Sequence, residues 1–111
     1  MTEDVICERN YQTAIDGEIR PVPVQWMKPA LEPTGDWSCT FRIEWPHRPE
    51  RVRKCFGIDS VQALQLALDA VAVELYTAEP PVYWWSPNDI LGLSVPEDSA
   101  HLEAARSEGR P

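Results

Sequence analysis

The residues of this 111-residue chain with any claim to chemistry are few: three cysteines (Cys7, Cys39, Cys55), two histidines (His47, His101) and scattered carboxylates. Nucleophilic catalysis needs a Ser, Cys or Lys beside a base that is itself held in place. His47 lies in a turn between Pro46 and Pro49, and His101 in a polar terminal stretch, so neither is held to activate a nucleophile. Cys7, Cys39, Cys55 and His47 offer zinc-type donors, yet they follow none of the short Cys-x-x-Cys or His-x-x-x-His spacings of zinc sites. The carboxylate pairs Glu3/Asp4 and Glu97/Asp98 fall near the ends, where water solvates them, and the glycines form no phosphate-cradling loop. The expectation is a protein that is not an enzyme and has no catalytic residue, metal ligand or cofactor.

Charge and aromatic residues carry more information. The formal net charge of −8 argues against direct nucleic-acid binding, which needs a positive surface. From Cys55 to Ala105 there is no Lys or Arg, while Asp59, Asp69, Glu74, Glu79, Asp89, Glu97, Asp98 and Glu103 supply eight negative charges. Arg48, Arg51, Arg53 and Lys54 surround the single Glu50, so one basic hairpin opposes an acidic remainder. Five tryptophans are many for this length. Tyr83, Trp84 and Trp85 are consecutive, so they cannot all point into one core: one plugs it while another lies on the surface.

These residues need elements to position them. Asp16-Gly17 between two strand-like runs is the pair that a two-residue type I′ hairpin turn prefers. That turn sets Ile15 opposite Glu18, Tyr11 opposite Val22 and Cys7 opposite Trp26. Pro21 and Pro23 then leave the outer side of strand two open at 21–23, so a third strand pairs beyond Pro23 or on the far side of strand one, the first being the favoured reading. Trp37, Cys39, Phe41, Ile43 and Trp45 alternate with polar residues, the signature of a strand covered on one face. Residues 51–56 read as a returning strand whose facing the pattern leaves open. Asp59 as N-cap with Gln62 three residues on starts a helix that carries a Val61, Leu64, Leu68, Val71, Leu75 stripe, widened by Ala63, Ala67 and Ala70, whose small side chains let the helix sit close to a sheet. Pro80-Pro81 stops it near Ala78.

The predicted fold is α+β: a four-stranded, mostly antiparallel sheet in order ββββα, one long helix on its apolar face, and an irregular aromatic C-terminal cover with a helical turn at 87–91. Residues 1–96 form the domain and 97–111 a polar, flexible tail, with a short helix at 99–106 as its one candidate element.

The segments Gly35-Asp36-Trp37-Ser38-Cys39 and Gly57-Ile58-Asp59-Ser60-Val61-Gln62-Ala63-Leu64, with a later tryptophan (Trp84 or Trp85) and Leu91-Gly92, carry a likeness. On these residues the chain resembles a bacterial domain family of unknown function with Gly-Asp-x-x-Cys and Gly-x-Asp-Ser-x-Gln-Ala-Leu motifs. The resemblance spans about residues 9–96 and implies a small α+β domain with no known activity.

The expected function is a non-catalytic interaction protein that binds and neutralises or inhibits a larger basic protein, such as a toxin or a nucleic-acid-binding protein, in the manner of immunity proteins and antitoxins. Its contact residues would be Tyr83, Trp84, Trp85, Asp69, Glu74, Glu79 and Asp89. The alternative is a small-molecule or nucleotide-binding module. It would use the helix N-terminus at Gly57–Ser60 and the basic hairpin 48–54, with Arg51, Arg53, Asp59 and Ser60 as ligands. The open edge of strand two offers a homodimer contact. No apolar run spans a bilayer and the first residues carry no signal-peptide pattern, so no membrane contact and a cytoplasmic location are expected.

Overall fold

In the computed structural model, Asp16 and Gly17 both take positive φ (51° and 80°), as the type I′ turn requires. This turn joins β1 (Val5–Ile15) to β2 (Glu18–Met27), and the register is the one that Asp-Gly dictates: Ile15 opposite Glu18, Tyr11 opposite Val22, Cys7 opposite Trp26. The structure describes residues 4–86, 90–96 and 99–107.

After β2, the two-residue β3 (Ala30–Leu31) and β4 (Trp37–Ile43) follow, then β5 (Arg51–Gly57). β4 meets β2 only through Val24–Trp26, and the Glu44 N–H donates to the Pro23 carbonyl at 3.0 Å. Pairing therefore begins beyond Pro23, as the prolines demand. Among the described residues the sheet is antiparallel throughout and has six strands, not the expected four: β3-β4-β2-β1 and then β6 (Val82–Tyr83) in order, with β5 on the other side of β4. The two additions, β3 and β6, are two residues each, too short for any periodicity to announce. Alternation on β4 holds: Cys39, Phe41 and Ile43 are fully buried and Trp45 nearly so. The facing of β5 is settled by Cys55 opposite Cys39 and Arg53 opposite Phe41, which puts the odd residues on the helix side.

The helix α1 (Ser60–Tyr76) begins at the expected cap, with Gln62 N–H donating to the Asp59 carboxylate at 2.8 Å. Gln62 Oε1 in turn accepts from Ile58 N–H, one residue before the position of a standard capping box. The face that α1 turns to the sheet differs from the expected stripe. Ala63, Ala67, Val71, Ala72, Leu75 and Tyr76 are buried, Leu64 and Leu68 are half-buried, and Val61 is 70% exposed. The cause is a close approach at the end of β5. A Cβ on Gly57 would lie 2.5 Å from Ala63 N, so only small side chains fit between helix and sheet there.

A regular element also sits in the C-terminal stretch: α2 (Ala100–Ser107), whose Leu102 packs against the core. Of the expected tail, residues 97, 98 and 108–111 lie outside the described residues, as do residues 87–89 of the expected helical turn. No helix among the described residues is long and apolar enough to cross a membrane.

Candidate functional site

The C-terminal cover is tied to the outer edge of the sheet by groups that β1 presents. Thr13 and Tyr11 both face inward and are fully buried. The Thr13 hydroxyl donates to the Pro81 carbonyl at 2.8 Å just before β6, which pairs with Gln12 and Thr13 of β1. Gln12 then donates its side-chain N–H to the Trp84 carbonyl at 3.2 Å. Tyr11 Oη donates to the Leu91 carbonyl at 2.7 Å, and Leu91 N–H donates to Tyr76 Oη at 2.9 Å. Both backbone groups of buried Leu91 are thus satisfied by tyrosines from two different elements, as burial requires.

Arg9, two residues before Tyr11 on the same face, completes the arrangement. Its Nη1 donates to the Gly92 carbonyl at 3.0 Å and its guanidinium lies 4.0 Å over the Trp84 ring. Gly92 has φ +74°, and a Cβ there would lie 2.5 Å from Trp84 Cζ3, so glycine is needed for backbone and for space. Trp85 stacks on Trp84 with ring centres 5.2 Å apart and planes inclined by 26°. Trp84 is half-buried and packs against the core, whereas Trp85 is 75% exposed. One indole is therefore fixed by a cation, a glycine and the core, and it holds a second flat at the surface. Nothing in the sequence pattern pointed to Arg9 or Tyr11 as the anchors, because their partners lie about eighty residues away, as the Tyr11–Leu91 separation of 80 shows.

The acidic residues expected to join this aromatic patch are elsewhere. Glu74 accepts from Arg51 Nε at 3.1 Å, across α1 and β5. Asp69 is half-buried in a groove with Arg53, Phe56, Leu66 and Val73, where burial pushes its carboxyl above the usual range. Both sit at the β5 edge, and Tyr83 to Trp85 sit beyond β1 at the opposite edge. Glu79 is exposed just ahead of β6, on the aromatic side, and Asp89 lies outside the described residues.

The alternative ligand set is divided as well. The Asp59 carboxylate is occupied by the helix it caps, and Arg51 by Glu74. The concavity at the start of α1 is lined by Lys28, Pro29, Trp37, Ser60, Val61 and Leu64, whereas Arg53 lines the groove at the far side of β5. The thiols are poor nucleophiles. Cys39 Sγ donates to the Met27 carbonyl at 3.3 Å, and burial pushes its pKa up to about 11. Cys55 is raised for the same reason, and His47 stands exposed, edge-on to Trp45.

Fold and site together define a small α+β domain whose most exposed large aromatic side chain is carried on a rigid support. Residues 7–95 match the family described as a domain of unknown function (DUF6968), and the chain belongs to that family. No curated protein and no solved structure matches it.

Proposed function

We propose that the protein is a non-catalytic binding module that docks a larger, basic protein through the face around Trp85. The observation that carries this reading is the Trp85 ring, 75% exposed yet stacked on an anchored Trp84. A large aromatic side chain held in one orientation loses little entropy on binding, which is why tryptophans dominate interface hot spots. Tyr83 and Glu79 flank it on the same edge, and the overall charge of −8 favours encounter with a cationic partner. A partner whose basic active surface is covered in this way is inhibited, the mode of an immunity protein or antitoxin acting in a bacterial cytoplasm. Asp69 and Glu74, at the far edge of the sheet, are outside this contact.

The test is capture from the native cell at low salt with the tagged chain, its Trp85→Ala variant and its Glu79→Lys variant. The wild type retains a basic partner, Trp85→Ala loses it with an unchanged thermal melt, and Glu79→Lys weakens it in a salt-dependent way. Undiminished capture by Trp85→Ala removes the reading.

A further inference from the structure

The opposite edge of the sheet carries a second surface that the Trp85 reading leaves unused. Among the described residues no strand pairs with the outer side of β5, so its backbone donors and acceptors face outward. An open edge of seven residues without proline is a template for another strand. The free edge of β2 is less suitable, since Pro21 and Pro23 each lack an N–H.

Both layers beside the β5 edge expose apolar side chains where a surface is normally polar. On the open face of the sheet, Val52 and Phe56 are 47% and 54% exposed. On the helix side, a groove of about 510 Å³ runs along Arg53–Phe56 and is walled by Leu66, Ala70 and Val73 of α1. Those three residues follow the 4, 3 spacing of a helix–helix contact.

We infer that β5 pairs antiparallel with β5 of a second copy about a twofold axis at Lys54, making one continuous sheet across a homodimer. A twofold interface must be complementary to itself. This register sets Val52 opposite the partner's Phe56 and Phe56 opposite the partner's Val52, two apolar cross-strand pairs on one face. It brings Lys54 opposite its own copy, and that repulsion is met locally, because Lys54 Nζ lies 3.4 Å from Glu32 Oε2.

Charge selects a second copy over a strongly charged partner. The groove lining holds Arg53 and Lys54 against Asp69 and Glu74, so it is balanced. A patch without net charge adds no local repulsion to the approach of two chains that each carry −8. Across the axis, Arg53 of each copy moves toward the Asp69 side of the other, giving the half-buried Asp69 carboxylate a cation. The dimer leaves the Trp85 face free and does not rest on it.

Sedimentation velocity over a concentration series tests the arrangement. The wild type shifts from one chain mass to two as concentration rises. Val52→Lys with Phe56→Lys stays at one chain mass throughout with an unchanged melt, since both side chains are exposed in the single chain. Arg53→Asp and Asp69→Arg each weaken the dimer at least about tenfold, equivalent to about 1.4 kcal/mol, and the double variant restores it. A monomer at every concentration overturns the inference. So does a dimer that ignores the Val52/Phe56 variant and is lost with Ile19→Lys on β2.

Discussion

Replacing Gly92 by alanine separates two costs that the structure places on one residue. The first is backbone: φ is +74°, and a side chain in the left-handed region costs about 1–2 kcal/mol. The second is space. The new Cβ would lie 2.5 Å from Cζ3 and 3.0 Å from Cε3 of Trp84, and 2.8 Å from Arg9 Nη1. Trp84 must move, and overpacking of this kind costs about 1–3 kcal/mol, including a cation–π contact worth about 0.5–1 kcal/mol. Gly92→Ala therefore destabilises the domain by about 2–5 kcal/mol, which for this chain length lowers Tm by about 10–20 °C. The assay is urea denaturation followed by far-UV circular dichroism, with the near-UV band of the stacked indoles as a local reporter. The decisive comparison is the same substitution in a Trp84→Ala background. There the spatial cost disappears, because Arg9 Nη1 is the end of a flexible side chain, and only the backbone cost remains. A coupling of at least about 1 kcal/mol is expected between the two sites. Equal costs in both backgrounds would refute the idea that Gly92 exists to seat Trp84.

The closed space between β5 and α1 gives a contrasting glycine: Gly57→Ala pushes Cβ onto backbone atoms of Gln62 and Ala63 and costs at least about 2 kcal/mol in a thermal melt. Gly35→Ala, at φ +95° with open space around it, pays the backbone cost alone, about 1–2 kcal/mol, and a loss as large as that of Gly92→Ala would contradict the distinction. On the helix, Ala67→Asp abolishes folding because residue 67 is fully buried against the sheet, while Val61→Lys leaves the melt unchanged. Asp69 gives a pH test at dilutions where the chain is monomeric. Its folded pKa is raised by burial, so its favourable contribution is complete below the ordinary Asp value of about 3.9 and is lost as pH rises through the folded value. Asp69→Asn should then raise stability at neutral pH and leave it unchanged in acid, and an equal effect at both would sink the assignment.

What the sequence made legible was local. Asp16-Gly17 and the two prolines after it determined the β1–β2 register and the point where β4 could join, because turn geometry and a missing N–H act over a few residues. The β4 alternation was legible because one face is wholly covered. On α1 the pattern placed Ala63 and Ala67 on the apolar face but centred it on the larger residues, whereas Gly57 brings the strand so near that alanines take the inner face and Val61 is turned out. The facing of β5 could not be read because Arg51 and Arg53 stand on its helix side, Arg51 holding Glu74, so neither face looks apolar. The aromatic run was singled out correctly as unable to bury all its rings. Its coupling to the acidic helix was misplaced, since adjacency in sequence says nothing about which sheet edge a segment returns to.

The hydrogen bond from Tyr11 to Leu91 joins groups 80 residues apart. Closing so long a loop is entropically slow, whereas the β1–β2 hairpin closes over a two-residue turn and forms early. On the ribosome, β1 and β2 can pair while Tyr11 and Arg9 still face water, waiting for a segment not yet made. The surface that carries Trp85 is thus assembled last, and no fragment ending before Gly92 can display it in its final form.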